Sequence, residues 1–180
     1  MFAFIYVGSR NANSGRLLQG SAADTYTSPA TIINNSEVVQ IGDAVSLDVN
    51  GNIILHTAGV PVLGIVVSVF KNGLQVEPDS GTTDTWTVTA TNETVNKMYA
   101  IVDVSVDSVY SAAVTGTIGT TATSGNAGAY IDATDENDLA ETSATRTRAT
   151  SGTFVTLGTD PNNSSRLLCS INESQLCSAI

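Results

Sequence analysis

The sequence predicts an all-β protein, an antiparallel β-sandwich or barrel with an extended N-terminal arm. Two observations support this prediction. Apolar residues occupy every second position in many short segments, and Gly, Asn, Asp and Pro punctuate the chain between them. Apart from the tail after Asn172, no longer window has a helical period. Many short strands joined by such turns are typical of a sandwich or a barrel.

Residues 1–30 are predicted to form the arm, and residues 31–180 a single β-rich domain. Residues 2–7 are apolar, and the segment that follows them is rich in Gly, Ser, Asn and Ala. Isolated apolar residues in such a segment are typical of an arm that becomes ordered by docking on another surface. The contact candidates are the aromatic and leucine side chains of this arm: Phe2, Phe4, Tyr6, Leu17, Leu18 and Tyr26. A flexible terminus that packs nowhere is the alternative.

Residues 42–70 are the predicted centre of the domain. Apolar and polar residues alternate from Val45 to Val49, as a strand with one buried face requires. The pair Asn50-Gly51 follows, and both residues tolerate the positive φ of a type I′ turn. Residues 53–55 are therefore predicted to return as the partner strand. Residues 63–70 are nearly all apolar or β-branched, which predicts a central strand buried on both faces.

The same pattern predicts the remaining strands. They are residues 37–41, 74–76, 85–90, 98–106, 110–114, 129–131, 153–157 and 166–172. Residues 98–106 form the second long strand of the prediction, and residues 110–114 are expected to extend the same sheet. Residues 115–124, dominated by Thr, Gly and Ala, are predicted to be a surface excursion.

Charge limits the partners of this chain. Seventeen acidic residues against seven Lys and Arg give a formal net charge of −10. Because phosphate binding needs clustered cations, neither nucleic acid nor a membrane is an expected partner. The charged share is only 13%, and hydroxyl and amide side chains replace it, a profile typical of extracellular, adhesive and viral-shell β proteins. Residues 2–7 lack the basic region and length of a secretory signal, so synthesis in a cytoplasm is expected.

Neither catalysis nor a bound cofactor is expected. The only histidine, His56, ends an apolar strand, which is typical of a strand-end or interface residue. No G-x-S-x-G motif accompanies it as part of a Ser-His-Asp triad. The acidic run Asp132–Asp138 could attract Ca²⁺, but it lacks the glycine and the terminal glutamate of an EF-hand loop. A solvated loop is the preferred interpretation.

Cys169 and Cys177 are the candidate redox pair. In an extended strand, eight positions span about 26 Å, well beyond the roughly 4.4–6.8 Å between the Cα atoms of a disulfide. A bridge within the chain therefore requires it to turn back after Asn172. Two reduced thiols are preferred, and a bridge formed within or between chains in an oxidising medium is the alternative.

Several short motifs together resemble those of a known protein family. They are Tyr6-Val7-Gly8-Ser9, Leu18-Gln19-Gly20-Ser21, the run from Ile41-Gly42-Asp43 to Asp48, Val62-Leu63-Gly64-Ile65-Val66, Asp160-Pro161-Asn162-Asn163-Ser164, and Leu167-Leu168-Cys169-Ser170-Ile171-Asn172. In their pattern and order, the chain resembles the small capsid decoration (cement) proteins of tailed bacteriophages. The resemblance covers most of the chain and carries no catalytic residues.

The resemblance implies a structural virion protein that binds the outer surface of an expanded phage capsid and stabilises it. Its partner would be the major capsid protein, and it would form a homo-oligomer, with a trimer preferred over a dimer. The alternative is an extracellular adhesive or carbohydrate-binding module, such as a fibre or surface-layer component, with Trp86, Tyr99 and Tyr130 as a sugar-stacking platform. Removal of residues 1–30 is expected to abolish shell binding and to leave a folded core.

Overall fold

The computed structural model describes residues 4–9, 25–34, 37–71, 74–82, 84–88, 98–119, 124–147 and 152–175. The strands are β1 (Phe4–Ser9), β2 (Thr25–Ile32), β3 (Val38–Gln40), β4 (Ala44–Leu47), β5 (Ile53–Leu55), β6 (Gly64–Lys71), β7 (Leu74–Gln75), β8 (Thr85–Thr87), β9 (Met98–Asp103), β10 (Ser108–Thr115), β11 (Tyr130–Ile131), β12 (Asp138–Ala140), β13 (Phe154–Asp160) and β14 (Asn163–Ile171). The helical parts of these ranges are 3₁₀ turns at Glu141–Ser143 and Glu173–Gln175. The predicted all-β class is confirmed.

Two large sheets and a small ladder make up the described fold. In the first sheet the order is β1-β10-β14-β13-β11, and β12 also pairs with β10. In the second sheet the order is β2-β9-β6-β4-β5, and β7 also pairs with β6. Strands β3 and β8 form the ladder. The strand pairs are antiparallel except for β10 and β12, which run parallel. The arrangement is consistent with the predicted sandwich.

Buried apolar side chains fill two clusters between these layers. The first cluster joins the first sheet to β4 and β6, and its members include Phe4, Ala44, Ile65, Tyr110, Phe154 and Leu167. The second cluster joins the second sheet to the ladder, and its members include Val39, Val45, Val66, Trp86 and Val102. Strands β4 and β6 contribute side chains to both clusters and therefore lie between them. This agrees with the prediction that residues 42–70 are the centre of the domain.

The β4–β5 hairpin forms around a turn that Asp48 holds closed. The Asp48 carboxylate accepts hydrogen bonds from the backbone N–H groups of Asn50 and Asn52, both at 2.8 Å. Gly51 has a φ of 77°, a conformation that glycine adopts without steric cost. The prediction that Val49 lies on the buried face is wrong. Strand β4 ends at Leu47, and Val49 lies fully exposed in the turn.

Strand β6 is central, as predicted, and it contacts β9 closely at its start. A Cβ atom added at Gly64 would lie 2.3 Å from the carbonyl oxygen of Asp103, so only glycine fits without a backbone shift. The register with β9 shifts between Val66 and Ser68, which is a β-bulge. Val67 lies in this bulge and is partly exposed, so the strand is not buried on both faces along its whole length.

Strands β9 and β10 lie in different sheets, which contradicts the prediction for residues 98–114. The chain leaves β9 at Asp103, whose carboxylate accepts a hydrogen bond from the backbone N–H of Ser105 at 2.9 Å. Such local side-chain bonds compete with strand pairing and favour a turn. The alternating valines of this segment conceal the turn, because alternation continues on both sides of it.

Two parts of the predicted arm are strands of the sheets. Strand β1 pairs with β10, where Phe4 lies opposite Ala112, and β2 pairs with β9, where Tyr26 lies opposite Val102. Residues 10–24 lie outside the described residues. A variant that lacks residues 1–30 therefore loses two edge strands and the core residue Phe4, which argues against the expectation that its core remains folded.

Gln40–Asp43, which we call the junction turn, connects the layers. Asp43 N–H donates to Gln40 O at 3.2 Å, which closes the turn. The backbone bonds to other elements are Phe4 N–H to Gly42 O at 3.2 Å, Gly42 N–H to Val66 O at 2.9 Å, and Val66 N–H to Asp43 O at 2.9 Å. The next residue, Ala44, donates its N–H to Glu136 O at 2.9 Å. The turn thus contacts β1 and β6, and Ala44, directly after it, contacts the acidic segment 132–138.

Candidate interaction edge and buried polar groups

Strand β1 lies at the end of the first sheet. Among the described residues, β10 is its strand partner, and the bond from Phe4 to the junction turn is on its other side. Ile5 is 41% exposed and Val7 48% exposed. We call the edge of β1 that no described strand covers, together with these two exposed side chains on its outer face, the interaction edge. An open strand edge with outward apolar side chains is a template for pairing with another strand.

The predicted contact residues are divided between the core, the second sheet and the undescribed chain. Phe4 is 2% exposed and stacks on Phe154, with ring centroids 4.8 Å apart. Tyr6 is half-buried and meets the ring of Tyr110 edge-on at 6.1 Å. Tyr26 lies in β2. Phe2, Leu17 and Leu18 lie outside the described residues. Phe4 has almost no surface to offer a partner while the core is closed.

Sequence reasoning selects the aromatic residues of β1 and misses Ile5 and Val7. A period of two places residues 4 and 6 on one face of a strand and residues 5 and 7 on the other. Rings bury more apolar area than aliphatic side chains, so the aromatic pair takes the inner face. This signal is present in the sequence, and it assigns the outward face to Ile5 and Val7.

His56 directly follows β5, at the predicted strand end, but it is buried and does not lie at an exposed interface. Its side chain is fully buried, and Nδ1 lies 2.9 Å from Ser46 Oγ. No hydrogen-bond partner of Nε2 is present among the described residues. Burial lowers the pKa of His56 below its ordinary value, although the nearby charges of Asp132 and Asp135 oppose this shift. Within the described chain, no carboxylate is hydrogen-bonded to the ring as a triad would require.

Residues 132–138, which we call the acidic loop, are held by their own backbone. Thr134 N–H donates to Asp138 O at 2.7 Å, and the Asp135 carboxylate accepts from Asn137 N–H at 2.8 Å. Burial raises the pKa of Asp138, assisted by Asp135 and opposed by Arg166. In the part of the chain that the structure describes, no group of three or more His, Cys, Asp or Glu side chains could hold a metal ion.

Arg166 is the centre of a buried polar cluster in the first sheet. It is 7% exposed, and it donates from Nε to Ser111 Oγ at 2.9 Å and from Nη2 to Ser111 O at 2.6 Å. Ser111 Oγ in turn donates to the carboxylate of Asp160. This hydrogen bond, with support from Arg166, lowers the pKa of Asp160. The cluster ties together β10, β13 and β14.

A second polar contact links the two large sheets. The hydroxyl of Tyr110, on β10, donates to the carboxylate of Asp103, on β9, and both residues are 1% exposed. Burial raises the pKa of Tyr110 well above its ordinary value, and the adjacent Asp103 charge adds to the shift. The hydroxyl therefore keeps its proton and remains a donor to Asp103.

The aromatic residues of the carbohydrate-binding alternative do not share a surface. Trp86 lies in the ladder and is 3% exposed, and its Nε1 donates to Val76 O at 3.2 Å. Tyr99 lies on β9 of the second sheet, and Tyr130 on β11 of the first. Because sugar stacking needs exposed rings beside one another, these three residues do not form a platform.

The candidate redox pair is described only at Cys169, which is free and fully buried. Cys177 lies outside the described residues. Burial raises the pKa of the Cys169 thiol far above its ordinary value. Since the thiolate is the reactive form of cysteine, the fold makes Cys169 inert towards oxidation and alkylation.

We expect native Cys169 to be alkylated at pH 8 at least ~100-fold more slowly than in denaturant. The variant Cys177→Ser leaves Cys169 as the single thiol and isolates its rate. Labelling is followed by intact mass, with the same reagent in both conditions. Similar rates in native and unfolded protein would contradict the burial of this thiol.

Compared with known proteins, the chain matches no family model, no curated protein and no solved structure. Within the described ranges, the structure contains no helix that is both long and apolar enough to cross a membrane.

Proposed function

We propose that this chain is a structural virion protein that binds the outer surface of an expanded phage capsid and stabilises it. The observation that carries the proposal is the interaction edge, where no strand of the described residues covers the outer edge of β1 and Ile5 and Val7 are exposed. A strand of the major capsid protein paired there would form backbone hydrogen bonds and bury both side chains.

The aromatic side chains that hold β1 in place support this role. Phe4 and Tyr6 hold β1 against the aromatic cluster of Tyr110 and Phe154. The edge is therefore ordered before it meets a partner, which reduces the entropy cost of binding. A net charge of −10 disfavours nucleic acid, whereas backbone pairing and apolar contact are the terms that a protein partner uses.

Stabilisation of the shell follows from mass action. A protein that binds only the expanded lattice stabilises that state by RT ln(1 + [L]/Kd) per site, about 2.7 kcal/mol at a hundredfold excess over Kd. Many equivalent sites on a closed shell multiply this value. We further propose that the chain forms a homo-oligomer, a trimer rather than a dimer, because several linked edges would bind the shell with avidity. We also propose that it is made in the host cytoplasm.

The test is sedimentation of the purified chain with capsids, before and after expansion, from the virus that encodes it. The wild-type chain should bind expanded capsids and not unexpanded ones. The double variant Ile5→Asp, Val7→Asp should bind at least ~30-fold more weakly, because it places two charges in the contact. Leu74→Asp is the matched control: Leu74 is 73% exposed and lies in β7 of the second sheet, so binding should be unchanged.

Urea unfolding of each variant shows whether the folded state is retained. Full binding by a folded double variant would exclude the interaction edge as the contact. Absence of wild-type binding to expanded capsids, at tens of micromolar protein, would overturn the proposed function.

A further inference from the structure

The junction turn contains a buried carboxyl group surrounded by acidic side chains. Asp43 is 2% exposed, and its Oδ2 accepts a hydrogen bond from the backbone N–H of Gln40 at 2.7 Å. The charged groups that act on it most strongly are all carboxylates. They are Glu136 and Asp135 of the acidic loop, and Asp84, next to β8.

The acidic loop is fastened beside this carboxyl group. Ala44, which directly follows Asp43, donates its N–H to Glu136 O at 2.9 Å. Ala133 of the loop is fully buried in the same apolar cluster as Ala44. The fastened loop therefore holds Glu136 and Asp135 near Asp43, a carboxyl group that is almost fully buried.

The protonation state of Asp43 decides how favourable this closed contact is. An ionised Asp43 would be a buried anion that repels three other carboxylates, whereas the protonated acid has no such cost. Burial is the main reason that the pKa of Asp43 rises to about 7, and the hydrogen bond from Gln40 opposes the shift only in part. An Asp side chain exposed to water has a pKa of about 3.9.

We propose that the contact between the acidic loop and the junction turn is a proton-controlled latch. It is closed while Asp43 is protonated, and it loosens when Asp43 ionises. The closed state binds a proton that the open state releases, so opening becomes easier as pH rises from about 4 towards 7, by up to about tenfold per pH unit. Above about pH 7 both states are ionised, and the dependence ends.

His56 also contacts Ala44, and its titration acts in the opposite direction. Its backbone N–H donates to Ala44 O at 2.9 Å, and its ring faces the charges of Asp132 and Asp135. Because burial lowers the pKa of His56, the folded state resists its protonation, and stability contributed by the neutral ring is lost as pH falls. The pH range in which His56 affects stability lies below the ordinary histidine pKa. A variant at Asp43 removes the Asp43 titration and keeps that of His56, so it separates the two.

The test is the pH dependence of amide hydrogen exchange at Ala44, followed by NMR between pH 5 and 8 and corrected for intrinsic exchange. In the wild type, the opening constant of this amide should rise with pH over that range, by up to about 100-fold from Asp43 alone. In Asp43→Asn, which keeps the acceptor for Gln40, the opening constant should no longer rise with pH, and any remaining change should be the opposite one that His56 produces. Glu136→Gln, which removes one of the facing charges, should lower the midpoint of the titration.

Two further measurements make the test decisive. Glu77→Gln removes one charge at an exposed site, and this control should behave like the wild type. The amide of Thr156, which donates to Ala129 O at 2.8 Å in the first sheet, reports on opening of the fold as a whole. The latch is refuted if Asp43→Asn retains the wild-type pH dependence, or if Ala44 and Thr156 change in parallel. Neither readout involves a capsid, so the result is independent of the proposed function.

Discussion

Replacing Phe4 with alanine should lower the free energy of unfolding by about 3–5 kcal/mol. The Phe4 ring is 2% exposed, stacks on Phe154 at 4.8 Å between centroids and meets Tyr110 edge-on at 6.3 Å. Its loss leaves a cavity in the first apolar cluster and removes the main apolar anchor of an edge strand. Urea unfolding, followed by circular dichroism, measures the change.

Ile5→Ala is the matched control in the same strand. Ile5 is 41% exposed, so its truncation should cost less than about 1 kcal/mol. Equal losses at the two positions would contradict the assignment of Phe4 to the core. If the prediction holds, a variant that lacks residues 1–30 is destabilised for reasons unrelated to binding. Point variants of the interaction edge are then the appropriate probes of binding.

Arg166→Met should cost about 3 kcal/mol, the second-largest effect expected. Methionine preserves much of the apolar stem, but it removes the hydrogen bonds to Ser111 Oγ and Ser111 O and the charge beside Asp160. The two acceptors of Ser111 then lose their donor, and the carboxylate of Asp160 loses its counter-charge. Leaving a buried polar group without a partner costs more free energy than a typical hydrogen bond contributes to stability. The same urea experiment measures this loss.

Arg146→Met supplies the comparison for this variant, since Arg146 is exposed. Its replacement should change the free energy of unfolding by no more than about 0.5 kcal/mol. A loss at Arg166 as small as that at Arg146 would show that the Ser111–Asp160 cluster contributes little to stability.

The sequence predicts the strands whose signals are local. The Asn50-Gly51 turn defines the β4–β5 hairpin, and the apolar run of residues 63–70 predicts β6. The features that the sequence does not predict depend on residues that are distant in the chain. Strand β12 pairs in parallel with β10 through only three residues, too few to show a period. Strands β9 and β10 lie in different sheets because the chain turns at Asp103. The alternation of apolar residues continues through this turn and therefore does not indicate it.

The residues of the two proposals follow the same rule. Alternation in β1 is sufficient to assign Ile5 and Val7 to the outer face once the aromatic residues are placed inside. Asp43 is different, because the sequence shows only a Gly-Asp turn. Two of the three carboxylates that act on it belong to the acidic loop, which lies far along the chain and is brought close only by tertiary packing.

Cryo-electron microscopy of expanded capsids, incubated with the purified chain, tests the central claim most directly. The proposal predicts density for the β-sandwich on the outer surface of the shell, with β1 facing a strand of the major capsid protein and with Ile5 and Val7 buried in the contact. Expanded capsids that carry no such density at saturating protein, or density in which β1 faces solvent, would contradict it.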